Sequence, residues 1–450
     1  MNAKSKKIVI CGGLRTAIGH LSKSLATVAP EDLMGSTIRE LIKRAKLDPS
    51  RVDGVIVGWV GQGSHAPNIA RIAALKAGRL PERAHALTIQ ENCVSGMEAI
   101  CSAARHIILG EGDLYIAGGT ESMSTFPYAI RGPRSAKSLR SIESLKENWA
   151  GLWTDPEVAI TDTMEEGLTD PIRHLNMAAT AEVCAQMFGI SREAQDAYAY
   201  ETFKRCYEAQ LNGFYKTHVM PVVSDGQTLL EQDEYVMLRK GLVQKPEMIK
   251  KAPALFGGES FTIKNFYDKF GEHMKGTKYS PQAQATVTLF NSCARSDGAA
   301  AVIVTSEDVA KDLGLEILGE LKSWAFYGID PAHMGIAPAF ATQTAIDKIG
   351  MKFSEIDHVE LHEAFASTCL SIFHVGQKQF SQDWRTLWEK KTLNPNGGSI
   401  PLGHPLAATG TRIVINLLYA MKQDPNARIG LAAACAAGGL GGAIVIQKYS

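Results

Sequence analysis

Short runs of β-branched and apolar residues alternate along most of this chain with longer stretches of helical spacing. Apolar runs of four to six residues without polar alternation are typical of strands that helices cover on both faces. The stretches between them have the periodicity of amphipathic helices. The alternation predicts an α/β fold. Predicted strands lie at residues 8–11, 55–57, 114–117, 302–305, 359–361, 429–433 and 443–447, and predicted helices include 96–108, 339–349 and 411–421.

Two short segments repeat between the halves of the chain. Residues 52–57 resemble residues 356–361, and residues 116–119 resemble residues 436–439. In both halves the second segment ends in a pair of glycines. The repeat predicts that the two halves share one strand topology.

The region from about residue 122 to residue 281 is more polar and richer in Arg, Lys, Tyr and Met. Ser191 is a suitable N-cap for a helix that extends to Asn212, and Gly213 provides a stop. We expect a largely helical insertion over one face of the α/β core. Insertions of this kind commonly build substrate pockets, and a purely structural excursion is the alternative.

Composition excludes several classes of protein. Lys plus Arg and Asp plus Glu both total 47, so a strongly basic nucleic-acid-binding surface is not expected. The eight cysteines are scattered without a CxxC pair, which predicts free thiols, no metal site and a reducing compartment. No apolar run reaches the ~18 residues of a membrane span, and the basic start of the chain lacks a signal-peptide core. We therefore expect a cytoplasmic protein.

Residues 377–391 form a segment with large apolar side chains at Phe380, Trp384, Leu387 and Trp388. Their spacing favours a helix packed on the surface, so membrane contact is not expected. Docking of a partner or of a membrane surface is the alternative.

Cys93 lies between an apolar segment, residues 86–89, and a helix rich in small residues. At a helix N-terminus, unpaired N–H groups and the positive end of the macrodipole favour the thiolate. Because a free thiol has a pKa of ~8.5, a lowered pKa would activate the sulfur. Cys93 is therefore a candidate nucleophile, and a buried inert cysteine is the alternative.

Three further segments place reactive side chains at strand ends or in constrained loops. His404 lies between glycine and proline ahead of a predicted helix, in the fixed setting that a catalytic base or oxyanion donor requires. His362 follows the strand at 359–361, where α/β folds place active groups. Cys435 lies at a strand end beside a glycine turn. A loop histidine, a helix cap and a packed cysteine are the respective alternatives.

Seven motifs in a fixed order carry a resemblance to a known family. They are GLRTAIG at 13–19, ENCVSGMEAI at 91–100, AGGTESMS at 117–124, SDGAAA at 296–301, HEAFA at 362–366, NGGSIPLGHPLAATGTR at 396–412 and AAACAAGGLGG at 432–442. Through them the chain resembles the thiolases over nearly its whole length. The resemblance implies a thiolase-like α/β fold of two similar halves, in five layers (α-β-α-β-α), with an inserted, largely helical loop domain. It divides the chain into an N-terminal half (1–121 plus about 282–305), a loop domain for coenzyme A and acyl binding (122–281) and a C-terminal half (306–450).

Thiolases transfer an acyl group reversibly between coenzyme A and the α-carbon of acetyl-CoA, making or cleaving 3-oxoacyl-CoA. The resemblance implies that Cys93 carries the acyl group as a thioester, and that His404 activates Cys93 and contributes to an oxyanion hole. It implies Cys435 as the acid/base at the α-carbon, and His362 as the residue that helps to bind the thioester oxygen of the second substrate. Coenzyme A and acetyl-CoA are then substrates, and no permanently bound cofactor is expected.

The resemblance also implies contacts with coenzyme A and with other chains. The candidate coenzyme A contacts are Met177, Leu289, Cys293, Met334 and Phe365. A homodimer or a dimer of dimers is the family expectation. His362 stands where many thiolases have Asn and resembles the β-subunit of the trifunctional enzyme of fatty acid metabolism, which implies a hydratase/dehydrogenase partner subunit.

Other positions depart from the common thiolase pattern. Ala407 and Ala437 stand where glycine is frequent, Cys293 where serine is common, and Leu289 where a small residue is usual. The Ala437 N–H can still donate if its backbone tolerates the turn.

Three other functions fit parts of this pattern. A decarboxylating ketosynthase would need no base at the position of Cys435. A catalytically silent acyl-CoA-binding subunit would not need the intact motifs. A cysteine hydrolase built on Cys93 and His404 would need a group that activates water, and none is evident.

Overall fold

The strands of the computed structural model, which describes residues 6–136 and 139–449, include every strand that the sequence predicts. The first five residues of the basic N-terminal segment lie outside the described residues. The strands are β1 (Ile8–Thr16), β2 (Gly19–His20), β3 (Gly54–Gly58), β4 (His85–Ile89), β5 (Leu114–Ser122), β6 (Tyr128–Arg131), β7 (Ala159–Asp162), β8 (Val219–Met220), β9 (Val222–Ser224), β10 (Gln227–Leu230), β11 (Ser296–Ser306), β12 (Ile317–Gly328), β13 (His358–Leu361), β14 (Ile429–Ala436) and β15 (Leu440–Lys448).

The predicted helices at 96–108, 339–349 and 411–421 correspond to α3, α13 and α17 of the structure. The helices are α1 (Pro30–Ala45), α2 (Ile69–Ala77), α3 (Ser95–Leu109), α4 (Ile142–Glu147), α5 (Thr163–Gly167), α6 (Met177–Phe188), α7 (Arg192–Leu211), α8 (Glu234–Leu238), α9 (Lys240–Gln244), α10 (Glu247–Lys250), α11 (Ile263–Phe270), α12 (Glu307–Asp312), α13 (Ala337–Asp347), α14 (Ala366–Phe380), α15 (Trp384–Glu389), α16 (Ser399–Leu402) and α17 (Leu406–Gln423).

One large mixed sheet contains most of the strands, in the order β13-β14-β15-β12-β1-β11-β5-β3-β4. Its two halves meet where β12 and β1 pair antiparallel. Each half contains an equivalent parallel pair, β13 with β14 in one and β3 with β5 in the other. The repeated sequence segments lie in or directly beside these pairs, so the repeat corresponds to a shared strand arrangement.

Helices and half-sheets alternate as layers. α3 and α17 pack together between the halves, since α17 contacts β5 and β11 as well as β13 and β14. α1 and α2 cover the outer face of the first half, and α13 and α14 cover that of the second. The five predicted layers are therefore present, with α3 and α17 at the centre.

Glycine allows α3 and α17 to approach closely. A Cβ atom at Gly96 would lie 2.5 Å from the carbonyl oxygen of Ala407, and one at Gly410 would lie 2.7 Å from the backbone nitrogen of Met97. Both contacts are near the N-terminal ends of their helices, so the loops that precede α3 and α17 come together. Cys93 lies in the first of these loops and His404 in the second.

We expect Gly96→Ala to lower the free energy of unfolding by about 1–3 kcal/mol, the usual cost of overpacking. Alanine normally stabilises a helix by up to ~1 kcal/mol relative to glycine, but here the added methyl group would push α17 away. Chemical denaturation measures the effect. Gly241→Ala is the matched control, because a Cβ at that helical glycine would meet no atom within 4 Å. Equal stability of the two variants would contradict the close approach.

Residues 122–281 contain α4 to α11 and only short strands between β5 and α11, in agreement with the expected largely helical region. α7 begins after Ser191, whose hydroxyl accepts a hydrogen bond from the Ala194 N–H at 3.2 Å. Gly213 follows the helix with a φ of +78°, as predicted for the stop. The division of the chain into two halves and a loop domain stays a prediction.

The aromatic side chains of residues 377–391 are packed against the protein. Trp384 is completely buried, and Trp388 stacks on Tyr198 with 4.1 Å between ring centroids. The guanidinium group of Arg205 lies 3.8 Å from the Trp388 ring centroid. The packed helix is therefore the correct interpretation of this segment. Every helix among the described residues is too short or too polar to cross a bilayer.

Candidate active site

A single cavity of about 190 Å³ brings together the four residues predicted to be catalytic, which are Cys93, His362, His404 and Cys435. The predicted coenzyme A contacts Met177, Leu289, Cys293, Met334 and Phe365 line the same cavity. Apolar side chains form most of its wall. The structure thus joins residues that are up to 342 positions apart in the sequence, the separation of Cys93 and Cys435 (435 − 93).

The four side chains reach the cavity from the ends of strands and from loops that precede helices. Cys93 lies between β4 and α3, and His404 lies between α16 and α17. His362 directly follows β13, and Cys435 lies near the end of β14. Because β13 and β14 are parallel neighbours, their carboxyl ends meet at one edge of the sheet.

Cys93 and His404 form a hydrogen-bonded pair. The Cys93 sulfur lies 3.1 Å from His404 Nε2, and His404 Nδ1 lies 2.7 Å from the Thr409 hydroxyl. Thr409 donates its own hydroxyl hydrogen to the Pro405 carbonyl at 3.3 Å, so it accepts from Nδ1–H. Nε2 then carries a free lone pair directed at the Cys93 thiol. This is the arrangement of a nucleophile and its base.

Both members of the pair are neutral at neutral pH. Although the Cys93 residue is only half-buried, its sulfur is enclosed, and this burial raises the pKa of the thiol to about 12, against the effect of a hydrogen bond from the Ala437 N–H. Burial lowers the pKa of His404 to about 3, and the Arg412 charge acts in the same direction. The predicted lowering of the Cys93 pKa is therefore wrong, because desolvation outweighs the helix N-terminus. A neutral thiol beside a neutral imidazole can attack a carbonyl only if its proton passes to the imidazole.

His362 stands beside this pair, with 4.2 Å between the ring centroids of His362 and His404. It is completely buried, and burial holds its pKa well below the ordinary value. Its Nδ1 lies 2.7 Å from the Ser399 hydroxyl oxygen. Its Nε2 has no hydrogen-bond partner within the described part of the chain, and the residue lines the cavity.

Cys93, His362 and His404 each bring one potential metal-ligand atom within 4.8 Å of the others. A thiolate and two imidazoles are ligands that zinc accepts. The charge of Arg412, however, contributes to lowering the pKa of both imidazoles, and it opposes any cation between them in the same way. The three atoms suit proton transfer and hydrogen bonding better than metal binding.

Cys435 precedes a tight turn that glycine makes possible. Gly438 and Gly439 have φ values of +78° and +76°, and a Cβ at Gly439 would lie 2.1 Å from the Ile329 carbonyl oxygen. The Cys435 thiol is buried, and burial raises its pKa well above the ordinary value. Cys435 is therefore protonated at neutral pH, as a proton donor must be.

Ala437 links this turn to Cys93. Asn92 donates from Nδ2 to the Ala437 carbonyl at 2.9 Å, and the Ala437 N–H donates to the Cys93 sulfur. The backbone N–H of Ala437 therefore still donates, although alanine stands where glycine is frequent.

Glu363 is a buried carboxylate that joins several segments of the chain next to the site. The sequence identifies it only as the neighbour of His362. Its carboxylate accepts hydrogen bonds from Thr202 at 3.0 Å, from Asn394 at 2.7 Å and from the Ile400 N–H at 3.3 Å. These contacts tie α7 and α16 to the end of β13. Nothing local in the sequence predicts them, because the nearest partner is 31 residues away.

Glu360 predicts a pH dependence of stability. Burial raises the pKa of this β13 carboxyl from 4.5 to about 8. The folded state therefore holds the proton more tightly than the unfolded chain does, and this contribution to stability is complete below pH ~4.5 and is lost as the pH rises through ~8. We expect Glu360→Gln, which mimics the neutral acid, to flatten the decline in unfolding free energy over that range. Denaturation at several pH values measures it, with exposed Glu389→Gln as the control, and an unchanged slope in Glu360→Gln would refute the assignment.

This chain is similar to known proteins over nearly its whole length. The family models described as thiolase, N-terminal domain, and thiolase, C-terminal domain, match residues 8–245 and 315–448. A probable acetyl-CoA acetyltransferase of Escherichia coli (strain K12) is 33% identical over 445 residues, which cover 98% of this chain and 99% of that protein. An acetyl-CoA acetyltransferase of Cupriavidus necator is 32% identical with the same coverage.

Solved structures give the same result. The crystal structure of human mitochondrial 3-ketoacyl-CoA thiolase matches with a TM-score of 0.82 at 30% identity, and the match covers 100% of both chains. The same human thiolase in complex with CoA matches with a TM-score of 0.81, over 99% of this chain and 98% of that chain. With both family models matched in order and relatives aligned from end to end, this chain belongs to the thiolase family.

Proposed function

We propose that this thiolase transfers an acyl group reversibly between coenzyme A and the α-carbon of acetyl-CoA through an acyl-Cys93 intermediate. The observation that carries the proposal is the Cys93 sulfur at 3.1 Å from His404 Nε2, in a cavity that Cys435 also lines. A base, a nucleophile and a second thiol around one cavity are what two successive acyl-transfer steps need.

In the cleavage direction, the Cys93 sulfur attacks the 3-oxo carbon of 3-oxoacyl-CoA while its proton passes to His404 Nε2. The bond between C2 and C3 breaks, and the electron pair stays on C2 as the enolate of acetyl-CoA. The Cys435 thiol gives its proton to C2, and acetyl-CoA leaves. The thiol of a second coenzyme A then attacks the acyl-Cys93 thioester and releases acyl-CoA. Its proton restores the Cys435 thiol, and His404 returns its proton to Cys93.

Charge develops on two substrate oxygens in this scheme, and we propose one donor for each. The Ala437 N–H is directed at the Cys93 sulfur, and it is our candidate for the oxygen of the carbonyl that this sulfur attacks. His362 lines the cavity and its Nε2 has no partner among the described residues, so this nitrogen is our candidate for the thioester oxygen of acetyl-CoA. One donor of this kind typically contributes about 2.7–4 kcal/mol to the transition state.

Coenzyme A enters this scheme as a substrate. We propose that its pantetheine arm runs along Met177, Met334 and Phe365, which line the cavity, and reaches solvent past Leu289. Leu289 is 67% exposed, which fits a position at the mouth. Cys293 completes the proposed set of contacts inside the cavity.

A series of 3-oxoacyl-CoA substrates of increasing chain length, each with and without free coenzyme A, tests the proposal. Cleavage is expected only when coenzyme A is present, and the best chain length identifies the substrate. Cleavage without coenzyme A would indicate a hydrolase. Condensation with malonyl but not acetyl thioesters would indicate a decarboxylating ketosynthase, and binding without turnover would indicate a silent subunit.

We also propose a homodimer formed through β4, at the edge of the large sheet. Within the described residues this strand pairs on one side only, with β3, and Leu87 on it is 39% exposed. An open edge of this kind pairs readily with a second copy. Light scattering is expected to give a dimer, or a dimer of dimers, for the wild type and a monomer for Leu87→Lys. A monomeric wild type would refute the proposal.

His362 and the cysteines support two further proposals, a hydratase/dehydrogenase partner subunit in fatty acid metabolism and a cytoplasmic location. All eight cysteines are free thiols, as a reducing compartment favours. Purification from the native source is expected to bring down the companion subunit in the soluble fraction. Purification without a companion would contradict the proposed partner subunit. Recovery of the protein in the fraction of another compartment would contradict the cytoplasmic location.

A further inference from the structure

Behind His362 lies a chain of buried polar groups that the proposed mechanism does not use. His362 Nδ1 is 2.7 Å from the hydroxyl oxygen of Ser399. The same oxygen accepts a hydrogen bond from Arg412 Nη2. All three residues are at most 1% exposed, so water does not compete for these contacts.

The number of hydrogens on each of these three side chains assigns a donor and an acceptor to each hydrogen bond. A guanidinium group can only donate, so Ser399 accepts from Arg412. The one hydroxyl hydrogen of Ser399 then needs an acceptor, since a buried donor without a partner is costly. Among the described residues, the other atom hydrogen-bonded to this oxygen is His362 Nδ1. Nδ1 is therefore the acceptor, and the hydrogen of the neutral imidazole lies on Nε2.

The neighbouring imidazole has the opposite arrangement. The Thr409 hydroxyl donates its hydrogen to the Pro405 carbonyl and accepts a hydrogen bond from His404 Nδ1–H. His404 therefore presents a bare Nε2 to Cys93, whereas His362 presents Nε2–H to the cavity. The two rings are 4.2 Å apart between centroids, yet Nε2 of His404 can take a proton and Nε2 of His362 can only donate a hydrogen bond.

We propose that Ser399 and Arg412 are positioning residues that hold His362 in the Nε2–H tautomer, which makes it a hydrogen-bond donor to a carbonyl oxygen of the substrate and prevents it from competing with His404 as a base. The identity of that oxygen, in an acyl thioester, rests on the proposed function. The tautomer itself does not, because it follows from the contacts of Ser399 alone.

Nitrogen-15 NMR of histidine-labelled protein tests the tautomer without any substrate. The His362 signals are assigned by their loss in His362→Asn. In the wild type we expect a protonated, pyrrole-type nitrogen at Nε2 and a bare nitrogen at Nδ1. In Ser399→Ala we expect the proton to move to Nδ1 or to exchange between both sites. A proton on Nδ1 in the wild type would overturn the proposal, even if the enzyme proves to be a thiolase.

Steady-state kinetics of 3-oxoacyl-CoA cleavage tests the consequence. Loss of one well-placed donor lowers turnover by up to about 10²–10³-fold. In Ser399→Ala the His362 donor is still present but misdirected, so we expect kcat to fall by about 10- to 100-fold. Ser399→Thr, which keeps the hydroxyl, should recover most of that loss. Ser371→Ala is the matched control, since this buried hydroxyl donates to Ser367 at 2.7 Å inside α14, away from the cavity.

Equal kcat values for Ser399→Ala and Ser371→Ala would contradict a positioning role. Should Ser399→Ala fail to fold, the nitrogen-15 spectrum of the wild type still decides the tautomer. If Cys93 takes up no acyl group in the wild type, the proposed function fails while the tautomer assignment stands or falls on the spectrum.

Discussion

Replacing Cys93 with alanine is expected to remove cleavage of 3-oxoacyl-CoA, with a loss of turnover of roughly 10⁶-fold, the scale seen when a covalent nucleophile is deleted. Alanine lacks the sulfur that lies 3.1 Å from His404 Nε2, so no thioester to the protein can form. The substitution removes a single atom at the cavity wall, and the fold should be kept. The measurement is the initial rate of thioester loss with saturating coenzyme A.

Cys101→Ala is the matched control for this result. Cys101 is a buried thiol of α3 that lies outside the cavity, so its loss should leave turnover near the wild-type value. Turnover by Cys93→Ala above a hundredth of the wild-type rate would mean that another group carries the acyl chain.

Cys435→Ala is expected to lower turnover by about 10²–10⁴-fold, the usual contribution of a general acid or base, while Cys93 still accepts an acetyl group from acetyl-CoA. Cys435 is protonated in the structure and lines the cavity beside Cys93, so it can protonate the enolate of acetyl-CoA. Acylation of Cys93 forms no bond to the α-carbon, and without Cys435 the departing coenzyme A thiolate can take the proton that His404 received from Cys93. Two assays on one preparation, turnover and acetyl uptake, separate these steps.

Exchange of the α-hydrogens of acetyl-CoA with heavy water makes this prediction specific. The wild type should catalyse the exchange, and Cys435→Ala should not. If Cys435→Ala lost acetyl uptake together with turnover, a role of Cys435 confined to the α-carbon would be contradicted. Unchanged turnover in this variant would exclude it from the reaction.

Local patterns were sufficient to predict most of the sheet. Buried strands such as β11 and β14 are nearly continuous apolar runs, and each contains its predicted segment. β12 was not predicted, because Glu320 and Lys322 interrupt its apolar residues. Its position beside β1 in the middle of the sheet depends on pairing between distant segments, which periodicity does not encode.

The site was predictable where the chemistry lies in a short motif. Cys93, His362, His404 and Cys435 each stand at a junction of strand, loop and helix that the sequence indicates, and all four reach one cavity. The contacts that orient them were not predictable. Arg412 reaches Ser399 across 13 residues, and Ser399 reaches His362 across 37, so only the folded chain joins them.

The pKa of Cys93 marks a further limit of sequence reasoning. The helix N-terminus was recognised correctly, and it favours the thiolate. The sulfur is enclosed by distant parts of the chain, among them His404 and the turn at Ala437, and that burial raises the pKa to about 12 instead. The local sequence indicates the helix dipole at the start of α3, whereas tertiary packing determines how far the Cys93 sulfur is removed from water.

Mass spectrometry of the intact protein after incubation with acetyl-CoA, followed by peptide mapping, tests the acyl-Cys93 intermediate most directly. The wild type is expected to gain the mass of one acetyl group per chain, located on Cys93, and to lose it when coenzyme A is added. Cys435→Ala should gain the same group on the same residue. No gain in mass, or an acetyl group mapped to a residue other than Cys93, would contradict the assignment of Cys93 as the nucleophile.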